Sequence, residues 1–334
     1  MGLSFLATSP DELAELAKFL TEAFGLPAEA PFAGRRLLEW KCFAPHPYWQ
    51  GARSYVLRDG ARYAAHGCAH PASFLTAAGE VRATRVIDWA GSAAVPGAGV
   101  LLFRKFAGLA QVLLAVGGSE DTRSILPKIG FRQAGEMSLY ARPVRVWRQF
   151  AKRGSPGRLV RNAVWSWAPP ARVPAGVEAV RVEKFERVPA PAASAEMTPV
   201  RRGADVLNYM LACPGAAFSG YVIRERGAVC GYFVLSRVGG QARVADLWTE
   251  EDWDAAYTLA VRAAMRDPET CEVAAAASVD RLRRAAAGVF QPRGTEPVFV
   301  YDPKGMLAGA PPLHVQLLDG DECYLNNPPY EFWT

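Results

Sequence analysis

The chain has no long apolar run: half of its 334 residues are apolar, but in short, interrupted stretches, so no segment is expected to span a bilayer. It has no CxxC pair. The six cysteines (Cys42, Cys68, Cys213, Cys230, Cys271 and Cys323) are scattered, which argues against a zinc ribbon, a dithiol motif or a disulfide framework and predicts reduced, buried thiols. The opening "MGLSFLATSPDELAELAKFL" lacks a basic region and runs into an acidic helix, so no secretory signal is expected and a cytoplasmic protein is. A broad basic face is missing too. Residues 1–141 carry 14 Lys/Arg against 12 Asp/Glu, residues 142–172 carry 8 against none, and residues 173–334 carry 16 against 21. The formal charge of +5 therefore comes from one central segment, a pattern unlike that of a nucleic-acid-binding domain, and no nucleic-acid partner is expected.

What is present is a repeat on a chain long enough for two domains. "YVLRDGARYAAHG" (Tyr55 to Gly67) resembles "YVIRERGAVCGYF" (Tyr221 to Phe233), and "RVIDW" (Arg85 to Trp89) resembles "RVADLW" (Arg243 to Trp248). Arg58 and Asp88 are 30 positions apart and Arg224 and Asp246 are 22 apart, so the first copy holds eight extra residues, best placed in a hairpin around "HPASFLTAAG". In the first copy Ser9, Pro10 and Glu12 predict a capped helix carrying Leu13, Leu16, Leu20 and Phe24. A second helix over "GRRLLEWKCF" precedes an antiparallel meander of "SYVLRD", "RYAAHGCAH" and "EVRATRVIDWA". A glycine loop, a helix over about 99–108, strand "QVLLAVG", helix "EDTRSILPKIG" and closing strand "AGEMSLYAR" follow. The second copy repeats the meander, then helix "EEDWDAAYTLAVRAAM", strand "CEVAAAAS", helix "VDRLRRAAAGVF" and closing strand "EPVFVY".

This order, with "AVPGAG" (Ala94 to Gly99) and "ILPKIGF" (Ile125 to Phe131), resembles the GCN5-related N-acetyltransferase (GNAT) superfamily in a tandem form. The family's pyrophosphate loop reads Gln/Arg-x-x-Gly-x-Gly/Ala; both glycines are here, with Ala94 in place of the cation. The later "lYeklGF" keeps Lys128, Ile129, Gly130 and Phe131 but has Leu126 for the tyrosine. The resemblance implies an α/β (α+β) chain of two acyl-CoA N-acyltransferase-like folds, each a mixed, mostly antiparallel sheet flanked by helices. Residues 1–141 would be the acyl-CoA domain, 142–176 a basic aromatic connector, 177–303 a degenerate second fold and 304–334 an extension. It further implies acetyl-CoA or another acyl-CoA as co-substrate and a small primary amine as acceptor. Ala90, Ala94, Val95, Pro96, Gly97, Ala98, Gly99, Val100 and Ser119 would line the coenzyme site.

Backbone N–H groups at a helix start can hold a diphosphate, aided by the macrodipole. No Lys or Arg lies between Asp88 and Arg104, and Pro96 removes one donor. The absent cation forfeits a charge-assisted bond of about 1.5–3 kcal/mol, which lowers affinity without abolishing it. In the second copy the matching "TEEDWDAAYT" is acidic and lacks glycine, which predicts lost coenzyme binding.

Three residues are candidates for catalysis. Asp88 ends the strand feeding the glycine loop and could take the ammonium proton, directly or through water, although its repeat Asp246 also suits a structural carboxylate. His66 is a second candidate base, and Tyr140 could protonate the thiolate in place of the missing tyrosine. His66, Cys68 and His70 would alternate onto one strand face, but no fourth ligand is spaced for zinc and no metal site is expected. The central segment interleaves basic residues with Trp147, Phe150, Trp165 and Trp167, a pattern that can bind an anionic surface, a lipid interface or the coenzyme's remote phosphate; its expected role is a connector that packs those aromatics between the domains with its arginines toward the acidic second half. "HVQLLDGDECYL", with His314, Asp319 and Asp321, reads as an extra strand. Two competing functions stay open: a non-catalytic binding or scaffold protein with decayed sites, and aminoacyl transfer from a charged tRNA.

Overall fold

The computed structural model describes residues 2–153, 155–167, 170–325 and 332–334, so parts of the expected connector (154, 168 and 169) and of the C-terminal extension (326–331) lie outside the described residues. The chain forms two compact units, and their boundaries do not follow the repeat. Unit 1 is Met1–Ala134 with Cys213–Gly215 and Val298–Ala310; unit 2 is Gly135–Ala212, Ala216–Pro297 and Pro311–Thr334.

In unit 1, β1 (Leu3–Ala7) leads through a capping box, in which Ser9 N donates to Glu12 Oε2 at 2.8 Å, into α1 (Leu13–Ala23). Helix α2 (Arg35–Cys42) follows, then the meander β2 (Ser54–Asp59), β3 (Arg62–Thr76) and β4 (Gly79–Gly91). Helix α3 (Ala98–Phe106), β5 (Val112–Val116) and α4 (Glu120–Ile125) complete this stretch. Successive residues alternate between the two faces of the sheet. Val56 and Cys68 join Leu16, Leu20 and Leu38 of α1 and α2, whereas Leu57 and Ala69 join Leu102, Phe103 and Phe106 of α3.

Next come β6 (Arg132–Pro143), α5 (Val146–Arg153), α6 (Pro156–Trp167), β7 (Val177–Val182), β8 (Thr198–Pro199) and α7 (Ala204–Leu211). The second meander is β9 (Ala217–Glu225), β10 (Ala228–Val238) and β11 (Gln241–Thr249), followed by α8 (Trp253–Met265), β12 (Glu272–Ala277), α9 (Asp280–Val289), β13 (Gln291–Tyr301) and β14 (Leu313–His314). The eight extra residues of the first repeat lengthen its hairpin: β3 and β4 have 15 and 13 residues where β10 and β11 have 11 and 9.

The closing strands are exchanged, which corrects the reading that each repeat closes its own sheet. Val298–Tyr301 of β13, from the second repeat, pairs antiparallel with β5 in unit 1. Strand β6, from the first repeat, pairs with β12 in unit 2, Tyr140 opposite Ala275. Each unit thus acquires the same kind of strand from the other half of the sequence. The extra strand expected over "HVQLLDGDECYL" reduces to the two residues of β14, paired with β8, before a short turn of helix at Leu317–Asp319.

Candidate coenzyme site

Strand β4 leaves the regular pleat at Asp88. In its pairing with β3, His66 faces Ala90 and Cys68 faces Ile87, so Gly67 stands opposite both Asp88 and Trp89. This is a β-bulge, and Asp88 absorbs it with φ of 51°, uncommon for a residue with a Cβ. The extra residue rephases the strand: Ile87 and Ala90, three apart, both pack with the α1 and α2 cluster, while Val86 and Trp89 lie against the α3 cluster. Gly67 has to be small, because a Cβ there would meet Phe106 at 3.1 Å and Val86 at 3.2 Å.

Buried polar groups hold the bulge. Lys41 Nζ lies 2.6 Å from Asp88 Oδ2, with both side chains sealed from solvent (0% and 2% exposed). His66 Nδ1 is 3.1 Å from Asp88 O, and since a carbonyl only accepts, this nitrogen carries the proton. Its Nε2 lies 2.9 Å from Ser54 Oγ, and the ring is fully buried. Cys42 and Cys68 lie beside it; their hydrogen bond lowers the pKa of Cys42 and raises that of Cys68. His70 Nδ1 pairs instead with Arg85 at 2.5 Å, and burial followed by the Arg85 charge drives its pKa well down. No three His, Cys, Asp or Glu side chains gather as a metal-binding group among the described residues.

Just ahead of the bulge, β4 and β5 part. Their parallel pairing covers only Ala83/Val112 to Arg85/Leu114, yet β4 runs on to Gly91 and β5 to Val116. The loop at the mouth of this gap folds back closely: Trp89 Nε1 donates to Gly99 O at 2.9 Å, and a Cβ on Gly91 would meet Gly99 N at 3.2 Å. Gly97, in contrast, has φ of 82° and open space around it. Several N–H groups of the loop are already spent on turns, Ala94 to Ser92 Oγ, Val95 to Ser92 O and Ala98 to Val95 O. Pro96 has none. Those of Gly97, Gly99 and Val100 have no hydrogen-bond partner among the described residues, and α3 starts with neither a side-chain cap nor an acidic residue. Three N–H groups at a helix start fit an anion. Arg104 and Lys105 are exposed at the far end of α3, about 10 Å along its axis.

Unit 2 answers the same geometry differently. Strands β11 and β12 also pair only to Arg243/Ala274 and then diverge. Here the gap is filled by the chain itself. Gln316 Oε1 accepts from Leu247 N at 3.0 Å, and its Nε2 donates to Leu247 O at 3.0 Å and to Asp246 Oδ1 at 2.6 Å. Across the gap, Ser278 Oγ donates to Leu313 O and accepts from Val315 N. Arg202 sits between Asp246 (2.7 Å) and Asp319 (2.8 Å), all three buried. Helix α8 is capped by Asp252, which accepts from Ala255 N at 3.0 Å, and a 260 Å³ pocket beside it is lined by Glu225, Glu251 and Asp252. A diphosphate would meet carboxylates there.

By sequence the chain matches no family profile and no curated protein. By structure it is similar to a GCN5-related N-acetyltransferase from Anabaena variabilis (11% identity, 90% of this chain and 72% of that one, TM-score 0.59). It is also similar to the N-myristoyltransferase of Saccharomyces cerevisiae with bound myristoyl-CoA (12%, 90% and 79%, 0.58) and to a tandem GNAT protein from the clavulanic acid biosynthesis pathway (14%, 90% and 98%, 0.52). The fold is that of the GCN5-related N-acetyltransferases.

On this GNAT fold the residues singled out from sequence separate. Asp88 and His66 lie together but enclosed, neither presenting its side chain to solvent. Tyr140 goes with β6 into unit 2, where its hydroxyl donates to Arg283 O at 3.3 Å; the exchange removes it from the residues unit 1 assembles. Leu126 is wholly buried in the α3 cluster, so the position of the family's tyrosine is core. Ser119 caps α4, accepting from Thr122 N at 3.2 Å, and Ala90 is core rather than lining. Lys41 and Ser54 were missed. The signal for Lys41 was present, since it follows Leu37 and Leu38 at helical spacing on the buried stripe of α2.

Proposed function

We propose that unit 1 binds acyl-CoA and transfers its acyl group to a small primary amine, and that unit 2 is a closed counterpart that binds no coenzyme. The observation that carries this is the contrast at the two diverging strand pairs: an open set of N–H groups (Gly97, Gly99, Val100) in unit 1, and Gln316 with Asp252 in the equivalent places of unit 2. Acyl-CoA supplies a thioester, at whose carbonyl carbon the amine forms a C–N bond while the C–S bond breaks. The chain's own contribution in this reading is positioning. The loop N–H groups hold the diphosphate, and the parted strands β4 and β5 receive the extended pantetheine as a strand-like guest. Asp88 acts as a positioning residue: its ion pair with Lys41 fixes the bulge that parts the strands. The ammonium proton is lost to water and the thiolate regains one from water, since Leu126 offers none.

Calorimetry with acetyl-CoA on the intact chain and on Gly97→Glu tests the proposal. Binding by the first and at least tenfold weaker binding by the second are expected; no heat with the intact chain up to millimolar ligand would refute it. The second reading, a binding protein without catalysis, is favoured by the enclosure of Asp88 and His66. It predicts coenzyme binding with no acyl transfer to any amine offered.

A further inference from the structure

Helices α5 and α6 form a hairpin whose polarity is inverted. Its inward contacts are polar: Asn162 Nδ2 donates to Gln149 Oε1 at 3.0 Å, and Gln149 Nε2 donates to Thr334 Oγ1 at 2.5 Å and reaches buried Glu272 at 3.3 Å. Three more anchors come from the guanidinium of Arg145, on the carbonyls of Met265, Asp267 and Thr270. Four apolar side chains point the other way. Val160, Val164 and Trp167, spaced i, i+4 and i+7 on α6, are 66%, 66% and 87% exposed, and Trp147 of α5 is 75% exposed. These four line one groove of about 730 Å³. Of the tryptophans expected to be packed away, Trp147 and Trp167 are instead exposed, and Trp165 is half-buried.

Charge accompanies the exposed face. Residues 142–172 contain eight Lys/Arg and no acidic residue. The Trp165 ring lies between the guanidiniums of Arg161 (4.7 Å) and Arg293 (4.2 Å). Burial and the charges of Arg161 and Arg158 lower the pKa of Arg293, with Glu272 opposing them. None of the three arginines makes an ion pair with a carboxylate among the described residues. On the same hairpin, Arg148 is held by Glu269 at 3.0 Å, which shows where a counter-charge is supplied and where it is not.

We propose that the α5–α6 hairpin docks on an anionic phospholipid bilayer surface, with Trp147, Val160, Val164 and Trp167 inserted at the level of the headgroups and Arg158 and Arg161 on lipid phosphates. Charge complementarity and side-chain chemistry select this occupant. Tryptophan prefers the membrane interface, an apolar helix face with flanking arginines is the pattern of interfacial helices, and two exposed valines offer nothing on which a nucleobase could stack. No helix among the described residues is long and apolar enough to cross a membrane, so the association is peripheral.

Co-sedimentation of the full chain with phosphatidylcholine vesicles, with and without phosphatidylglycerol, tests the inference. Binding is expected only with the anionic lipid, weakening as salt rises. Each arginine near such a surface contributes about fivefold in partitioning, so Arg158→Ala with Arg161→Ala is expected to lower binding roughly thirtyfold. Trp147→Ala with Trp167→Ala alters only exposed side chains and is expected to abolish binding, with the thermal unfolding midpoint unchanged. Equal binding to neutral vesicles, unchanged binding by either double variant, or no binding at all would overturn the proposal. So would capture of the face by a second copy, seen as a dimer that Trp147→Ala disperses, or an oligonucleotide that binds it while vesicles do not. Neither arm depends on acyl-CoA binding, so this inference and the acyltransferase reading fail separately.

Discussion

The buried pair of Lys41 and Asp88 permits a test that separates holding a strand from moving a proton. With side chains 0% and 2% exposed and 2.6 Å between charges, both ions have left water and depend on one another. Replacing Asp88 by Asn keeps the side chain's shape and suits φ of 51°, a backbone region that Asn tolerates better than most residues. It takes the carboxylate partner from a buried lysine, at a cost of about 3–5 kcal/mol. That is a large share of the ~5–15 kcal/mol by which domains are stable, so the single variant should unfold at clearly lower urea. Adding Lys41→Met removes the buried charge while keeping the stem's volume, and most of the loss should return. The double variant then decides the role of Asp88. As a positioning residue, its loss alongside Lys41 should release the bulge and weaken acyl-CoA affinity together with turnover. As the general base, its loss should reduce turnover by ~10²–10⁴ at unchanged coenzyme affinity and remove the acid limb of the pH profile. A stable double variant that binds acyl-CoA but has lost turnover would refute the positioning argument. A stable Asp88→Asn single variant would refute the burial argument beneath it.

Other consequences are simpler to measure. Gln316→Ala strips the partner from both Leu247 backbone groups in unit 2; a loss of about 1–3 kcal/mol is expected in chemical denaturation. Its coenzyme stoichiometry should stay at one per chain, because Asp252 still caps α8. His314 is buried, and burial, with Arg202 adding to it and Asp319 opposing it, holds its pKa down to about 4. Since the unfolded chain takes up that proton first, near pH 6.5, stability is whole above pH 6.5 and declines as pH falls toward 4. The decline is roughly 3 kcal/mol at ~1.4 kcal/mol per unit, and His314→Gln should flatten it. A pH series of urea melts would expose an error of sign. Gly231→Ala should be poorly tolerated, because a Cβ there would lie 2.6 Å from Trp248 O; soluble expression with an unshifted melting temperature would contradict this.

Much of the architecture was legible because it is local. The cap at Ser9, the stripe of Leu13, Leu16 and Leu20, and the alternation through the meanders are all carried by neighbours in sequence. The eight extra residues declared themselves by comparison between the two copies. The strand exchange had no such signal. "AGEMSLYAR" and "EPVFVY" are each suited to close a sheet of this kind, and nothing within either strand says which sheet, so the choice belongs to tertiary topology. The filled gap of unit 2 was hidden for another reason: Gln316 acts through its side-chain amide on a backbone 69 positions away, and polar residues that satisfy strand edges have no periodicity.

The two aspartates make the sharpest case. Sequence similarity aligned Asp88 with Asp246 and left open whether the match meant chemistry or structure. In the fold each meets a buried cation, but from different places: Lys41 at the end of α2, and Arg202 just before α7. Neither cation is part of the aligned segments, so they are independent solutions to one requirement, a neutralised carboxylate where the third meander strand breaks its register. Unit 2 has kept that arrangement although its gap is filled and its helix start is acidic. A paired carboxylate found also where Gln316 fills the gap is one the strand needs, whatever unit 1 does with the space beside it.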